Sequence, residues 1–162
     1  VLKGEGFAHK TEANAVVLNI LNKEQVIKEA THIESTSFLL EEMITDNIAE
    51  LLVGVVRDPA HGFILSIAAG GTFTELIKDT TSLIIPIEKG EILKALEKLR
   101  IYSLINGYRG NSKANLDAII DAIMSIQNFV IDNSKSIEEI EVNPLICGRE
   151  KAIAADLLLR RS

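Results

Sequence analysis

The chain has 162 residues, 47% of them hydrophobic, 25% charged and 4% aromatic, with no tryptophan and a formal net charge of −6. That size and apolar content suit one domain, or two small subdomains, around an aliphatic core. The acidic balance without a basic patch argues against nucleic-acid binding, and no apolar run approaches the ~18 residues of a membrane span.

The chain starts Val1-Leu2-Lys3-Gly4, without Met and without a charged region leading into an apolar one. This reads as the middle of a strand, so the expectation is an N-terminally incomplete piece without a signal peptide. Gly4 to Ala15 is a polar, glycine-containing loop. Val16 to Ile20 reads as a strand. Asn22 to Ala30 reads as a short helix capped by Asn22, with Gln25 three residues on and Val26, Ala30 and Ile33 at helical spacing. Phe38 to Ile44 and Glu50 to Arg57 read as two strands joined at Asp46-Asn47. The second is apolar at nearly every position, the pattern of a strand covered on both faces. His61 to Ala68 and Leu83 to Ile87 are further strands. Ile92, Leu93, Leu96 and Leu99 set a helix after Gly90, and Leu116 to Val130 a longer amphipathic one after a Gly107–Ser112 turn. Strands cluster before residue 90 and helices after it, which predicts an α+β fold with a largely antiparallel sheet.

The end of the chain carries the sharpest pattern. Glu138-Glu139-Ile140-Glu141-Val142-Asn143-Pro144-Leu145 is followed by a turn at Gly148-Arg149-Glu150-Lys151 and then by Asp156. A turn centred between Arg149 and Glu150 makes residues whose numbers sum to 299 face each other, and Asn143 and Asp156 are such a pair. Opposed residues in an antiparallel pair have Cβ atoms roughly 5 Å apart. Strand alternation puts Ile140, Val142 and Ile146 on one face and Glu139, Glu141 and Asn143 on the other. The oxygen-rich face suits Mg²⁺; a solvated acidic edge is the plainer alternative. Cys147 is the one cysteine, so no internal disulfide can form, which fits a reducing, cytoplasmic setting.

Several segments taken in order carry a family resemblance. They are the "VLK" start with Lys3, His9-Lys10-Thr11-Glu12-Ala13-Asn14-Ala15-Val16, Glu50-Leu51-Leu52-Val53-Gly54-Val55-Val56-Arg57-Asp58-Pro59, Ala69-Gly70-Gly71-Thr72-Phe73-Thr74-Glu75 with Asp79, Gly107-Tyr108-Arg109-Gly110, and Glu141-Val142-Asn143-Pro144-Leu145 with Asp156. In this order they resemble the ATP-grasp domain of the ADP-forming (NDP-forming) acyl-CoA synthetases, to which the succinyl-CoA synthetase β subunit is a more distant relative. The resemblance implies an ATP-grasp fold, with residues 1–44 as an N-terminal subdomain remnant and 45–162 as the C-terminal subdomain. It implies Mg²⁺ and ATP/ADP as ligands, with Asn143 and Asp156 on the metal and Glu141 beside them. Lys3, Lys10, Glu42, Met43 and Glu50 match its nucleotide-binding positions. His9 matches a loop histidine that passes a phosphoryl group in some members, and Arg109 falls in an inner loop where it would clamp phosphate. Two glycines of the family's phosphate loop are replaced here by Asn14 and Ala15.

The reaction implied is acyl-CoA + ADP + phosphate ⇌ carboxylate + CoA + ATP. The chain would supply its nucleotide half, exchanging phosphoryl with a phosphohistidine on a CoA-binding domain or α subunit in a hetero- or homo-oligomer. The alternatives are a non-catalytic nucleotide-sensing domain of a fused acetyltransferase-type protein and a structural interaction domain.

Overall fold

The computed structural model describes residues 1–7, 10, 13–71 and 79–162. The chain forms two compact units, Val1–Thr45 and Asp46–Ser162.

The first unit is built on a three-stranded antiparallel sheet in the order β2-β1-β3. Its strands are β1 (Leu2–Gly4), β2 (Val16–Val17) and β3 (Phe38–Leu40). Lys3 sits on the central strand, opposite Val16 on one side and Leu39 on the other. Helix α1 (Lys23–Ala30) starts where the capping signal places it. The Asn22 side chain accepts from the Gln25 N–H at 2.9 Å, and Gln25 Oε1 accepts in turn from the Leu21 N–H at 2.8 Å. One donor left over at the helix start is thereby satisfied, and the chain entering the helix is pinned. Leu2, Ala15 and Ile33 form the small core of this unit.

The second unit holds a six-stranded antiparallel sheet: β4 (Ala49–Asp58), β5 (Gly62–Ala69), β6 (Thr80–Ile84), β7 (Ile137–Cys147), β8 (Ala152–Ala154) and β9 (Leu157–Arg161). The order is β6-β5-β4-β7-β8, with β9 also on β7. Its described residues also form helices α2 (Lys89–Glu97), α3 (Tyr102–Ile105) and α4 (Leu116–Asp132) and a 3-10 turn at Tyr108–Gly110. Ile92, Leu96, Ile119 and Ile123 pack with Leu51, Val53, Val55, Leu65 and Ile67 in one core. The Gln127 side chain of α4 closes that core beyond β6, accepting from the Ile87 N–H (2.7 Å) and donating to its carbonyl (3.1 Å).

Several sequence expectations are corrected. Phe38–Ile44 and Glu50–Arg57 are not partners: β3 ends at Leu40 and pairs with β1, while β4 pairs with β5 and β7. The Asp46-Asn47 "turn" is instead an anchor, because the Asp46 carboxylate accepts from the Arg149 N–H and Nε at 2.7 and 2.9 Å. Strand β4 is buried on one face, and its other face is half-buried or exposed. The Val16 strand is two residues long rather than five. The strand expected at Leu83–Ile87 runs from Thr80 to Ile84, since Pro86 has no N–H for a ladder. Gly90 lies inside α2, not before it.

Ile146 is a further correction. Leu51 opposes Leu145 and Val53 opposes Val142, so Asn143 and Pro144 together face Leu52 in a bulge. The bulge shifts the side-chain parity by one. Leu145 and Cys147 continue the core row of Ile140 and Val142, and Ile146 turns to the other face.

Candidate functional site

The closing hairpin has the expected register. Cys147 pairs with Ala152, Ile146 with Ile153, Leu145 with Ala154, Val142 with Leu157 and Glu141 with Leu158. The turn is closed by the Gly148 N–H on the Lys151 carbonyl at 2.8 Å. At the bulge the Asn143 N–H donates to the Asp156 carbonyl at 3.1 Å, and the Ala155 N–H donates to the Pro144 carbonyl at 3.0 Å. Asn143 and Asp156 therefore face each other. Asp156 Oδ1 also accepts from the Leu157 N–H at 3.0 Å, which fixes the carboxylate against its own backbone. Glu141, Asn143 and Asp156 are all half-buried. Amide and carboxylate oxygens are hard donors, of the kind that suit a divalent cation. Among the described residues no three His, Cys, Asp or Glu side chains converge on a metal-binding point.

Glu50 lies one strand over, opposite Ile146. Its Oε1 accepts from Asn47 Nδ2 at 2.7 Å. A Cβ added to Gly71 would lie 2.7 Å from Glu50 Oε2, and Gly71 has φ +80°, so this corner is closed to a side chain twice over. The Gly70 N–H donates to the Glu50 carbonyl at 2.7 Å. A pocket of about 630 Å³ opens here, lined by Asn47, Glu50, Gly70, Gly71, Asp79 and Arg100 among others. Asp79 braces the chain, its two oxygens accepting from the Arg100 and Ile101 N–H groups, both at 2.9 Å, at the start of α3.

Arg57 is also structural. It donates to the Ile137 and Ser134 carbonyls, pairs with Glu138 at 3.1 Å and lies 4.5 Å from the centre of the Phe63 ring. Asp58 closes the β4–β5 turn, accepting from the Ala60 and His61 N–H groups and from His61 Nδ1. The His61 side chain and those N–H groups hold its carboxyl below the usual range. Arg109 sits exposed in the turn after α3, at φ +54°, with its guanidinium 5.2 Å from the centre of the neighbouring Tyr108 ring. It stands in a different loop from the hairpin oxygens.

In the first unit Lys3 is 8% exposed and its Nζ lies 2.5 Å from Glu41 Oε2. It is a seated lysine, not one on a frayed end. Glu41, which sequence reasoning passed over in favour of Glu42 and Met43, is its partner; Val1 locks that residue in place by exchanging backbone bonds with it. Glu42 is exposed and Met43 half-buried in the irregular segment beyond β3. Lys10 closes its loop by accepting from the Ala15 N–H at 2.8 Å. Asn14 takes the left-handed conformation (φ +52°), while Ala15 is fully buried against Leu2 and Ile33. His9 lies outside the described residues.

The described residues thus form an antiparallel sheet in each unit, with Lys3 seated in the first and the Asn143–Asp156 hairpin closing the second. A family model described as ATP-grasp domain matches residues 2–160, and the chain belongs to that family. Within it, the chain is 30% identical over 161 residues to the β subunit of the ADP-forming acetate–CoA ligase II of Pyrococcus furiosus, covering 91% of this chain and 68% of the relative. It is 30% identical over 156 residues to the ADP-forming acetate–CoA ligase of Methanocaldococcus jannaschii, covering 88% of this chain and 22% of that longer protein. The fold matches that of the Ca. Korarchaeum cryptofilum dinucleotide-forming acetyl-coenzyme A synthetase 1 with a TM-score of 0.86 at 24% identity, over 99% of this chain and 76% of the other. The chain thus belongs to the ATP-grasp family and is similar, over most of its length, to β subunits of ADP-forming acetate–CoA ligases.

Proposed function

We propose that this chain performs the nucleotide half of an ADP-forming acyl-CoA ligase. A phosphohistidine on a CoA-binding partner domain or α subunit gives its phosphoryl group to ADP. The histidine N–P bond breaks as a bond forms from the ADP β-phosphate oxygen to phosphorus, leaving neutral histidine and ATP; the reverse step loads the histidine. The observation that carries this reading is the opposed Asn143–Asp156 pair beside Glu141, in a chain matched to the ATP-grasp family from residue 2 to residue 160. The Korarchaeum protein was solved with coenzyme A and Mg-AMPPCP, its phosphohistidine segment pointing towards the nucleotide-binding site.

Asn143 and Asp156 would hold Mg²⁺, with Glu141 beside them, and phosphate oxygens and water would fill the remaining positions. The chemistry that Mg²⁺ would supply there is neutralisation of phosphate charge. Within the first unit, the family resemblance assigns Lys3 and Lys10 to the phosphates and Glu42 and Met43 to the nucleoside; within the second it assigns Glu50 to the nucleoside. His9 and Arg109 are assigned to receiving and clamping the phosphoryl group.

A second reading, a nucleotide sensor without transfer, is favoured by one observation: Asn14 and Ala15 stand where the family's phosphate loop has glycines. Isothermal titration of the full-length protein with Mg-ADP and Mg-ATP, followed by γ-phosphate-labelled ATP and the cognate CoA-binding partner, separates the two. Binding with acid-labile label on a partner histidine supports the ligase. Binding without label on the partner supports the sensor. No binding sinks both.

A further inference from the structure

Gly54 interrupts the apolar run of β4, and nothing among the described residues asks for a glycine there. Its backbone is not in the left-handed region. A Cβ built on it would meet only Leu52 Cδ2 at 3.8 Å and the Ile140 carbonyl oxygen at 3.9 Å, both ordinary contacts. Gly70 and Gly148 differ: a Cβ there would come within 2.8 Å of the Leu51 backbone and 2.7 Å of the Asp46 carbonyl oxygen. Glycine in a strand interior costs about 0.5–1 kcal/mol against alanine, so Gly54 is a cost that internal packing does not explain. Such a glycine often marks a place where a ligand approaches the backbone closely.

The neighbours of Gly54 say which ligand. It is directly opposed by Glu141 on β7 and by Ser66 on β5, and Ser66 by Ser82 on β6. The two serine hydroxyls are 2.9 Å apart. One row across the sheet therefore reads hydroxyl, hydroxyl, bare backbone, carboxylate. All four residues lie on the face of the sheet away from the helix-packed core, as the burial alternation of β4 shows. The flanking β4–β5 pairs on that face are apolar, Leu52 with Ala68 and Val56 with Ile64. Hydroxyl donors on one side of the gap and a carboxylate on the other match a phosphate carrying its divalent cation: the hydroxyls meet phosphate oxygen and the carboxylate meets the cation side.

We propose that the gap at Gly54 receives the metal–phosphate end of the nucleotide, between Ser66 and Glu141, and that Gly54 sets binding by lacking a side chain. This rests on the nucleotide reading above.

The test compares wild-type full-length protein with Gly54→Ala and Gly54→Val by thermal unfolding and by titration with Mg-ADP. Gly54→Val should unfold at the same temperature or higher, because a β-branched residue suits a strand and an unfolded glycine is unusually free. Its Mg-ADP affinity should fall at least about tenfold, with Gly54→Ala in between. Ser66→Ala should lose a few-fold. If Gly54→Val binds Mg-ADP within about twofold of wild type, the gap is not the phosphate position, while the nucleotide reading stands. If wild type does not bind Mg-ADP, both fall. Should Gly54→Val fail to fold, Gly54→Ala decides: a loss of about threefold or more supports the proposal, and unchanged affinity overturns it.

Discussion

Asn143 and Asp156 meet across the closing hairpin, the Asn143 N–H on the Asp156 carbonyl at 3.1 Å. This backbone contact holds the two side chains side by side whatever their charge, which makes Asp156→Asn a clean probe. The amide oxygen can still accept from the Leu157 N–H, as Asp156 Oδ1 does at 3.0 Å. Only the negative charge is lost. We expect thermal stability to stay within about 1 kcal/mol and Mg-ADP affinity to fall at least about tenfold, roughly 1.4 kcal/mol. Titration calorimetry beside thermal unfolding checks this. Unchanged affinity would remove Asp156 from the metal.

The pair was legible in the sequence because two local rules fixed it, strand alternation and a tight turn. What the local rules missed depends on distant partners or on missing donors. Asp46-Asn47 reads as a hairpin turn, yet the Asp46 carboxylate is taken by Arg149, far along the chain. The parity of Ile146 failed because Pro144 brings no N–H to the ladder and a bulge forms around it. Thr80 to Ser82 did not read as strand because two of the three are exposed and all are polar. The seating of Lys3 depends on Glu41, brought alongside by β1–β3 pairing, and no spacing rule announces that. The hairpin oxygens were thus readable, whereas the seat of Lys3 needed the fold.

Lys3 offers the second prediction. It is nearly buried and paired with Glu41, whose side chain is 37% exposed. Lys3→Met keeps the apolar stem and removes the charge. Glu41 can then be hydrated, so the stability loss should stay near ~1 kcal/mol. If Lys3 meets the nucleotide phosphates, affinity for Mg-ATP should drop by at least about tenfold. Equal affinities of wild type and Lys3→Met would leave the lysine a purely structural role.

Asn14 holds the left-handed turn of the loop at φ +52°. Asn14→Ala places a side chain without local hydrogen-bonding groups in that conformation and should cost about 1–2 kcal/mol. Asn14→Gly, which restores the family's residue, should be neutral or slightly stabilising. Ala15→Gly should destabilise instead, because Ala15 is fully buried and needs no left-handed geometry. Chemical denaturation of the three variants tests the ordering. An Asn14→Ala as stable as wild type would contradict the geometry.

Cys147 gives a pH prediction. Burial, and secondarily the negative charge of Glu50, push its thiol up to about 12 from an ordinary value of 9.0. The folded chain holds the thiol neutral, while the unfolded chain ionises it near pH 9.0. The stability this contributes is complete below the unfolded value and is lost as pH rises from there towards the folded one. The slope in that window is about 1.4 kcal/mol per pH unit. Cys147→Ala should flatten the alkaline limb of a stability–pH curve measured by urea unfolding, although it starts lower because a packed sulfur is lost. The native thiol should also react with Ellman's reagent at about pH 8 at least about a thousandfold more slowly than the urea-unfolded one. Rapid labelling of the native protein, or an alkaline limb that Cys147→Ala does not change, would show that this thiol is not held neutral in the core.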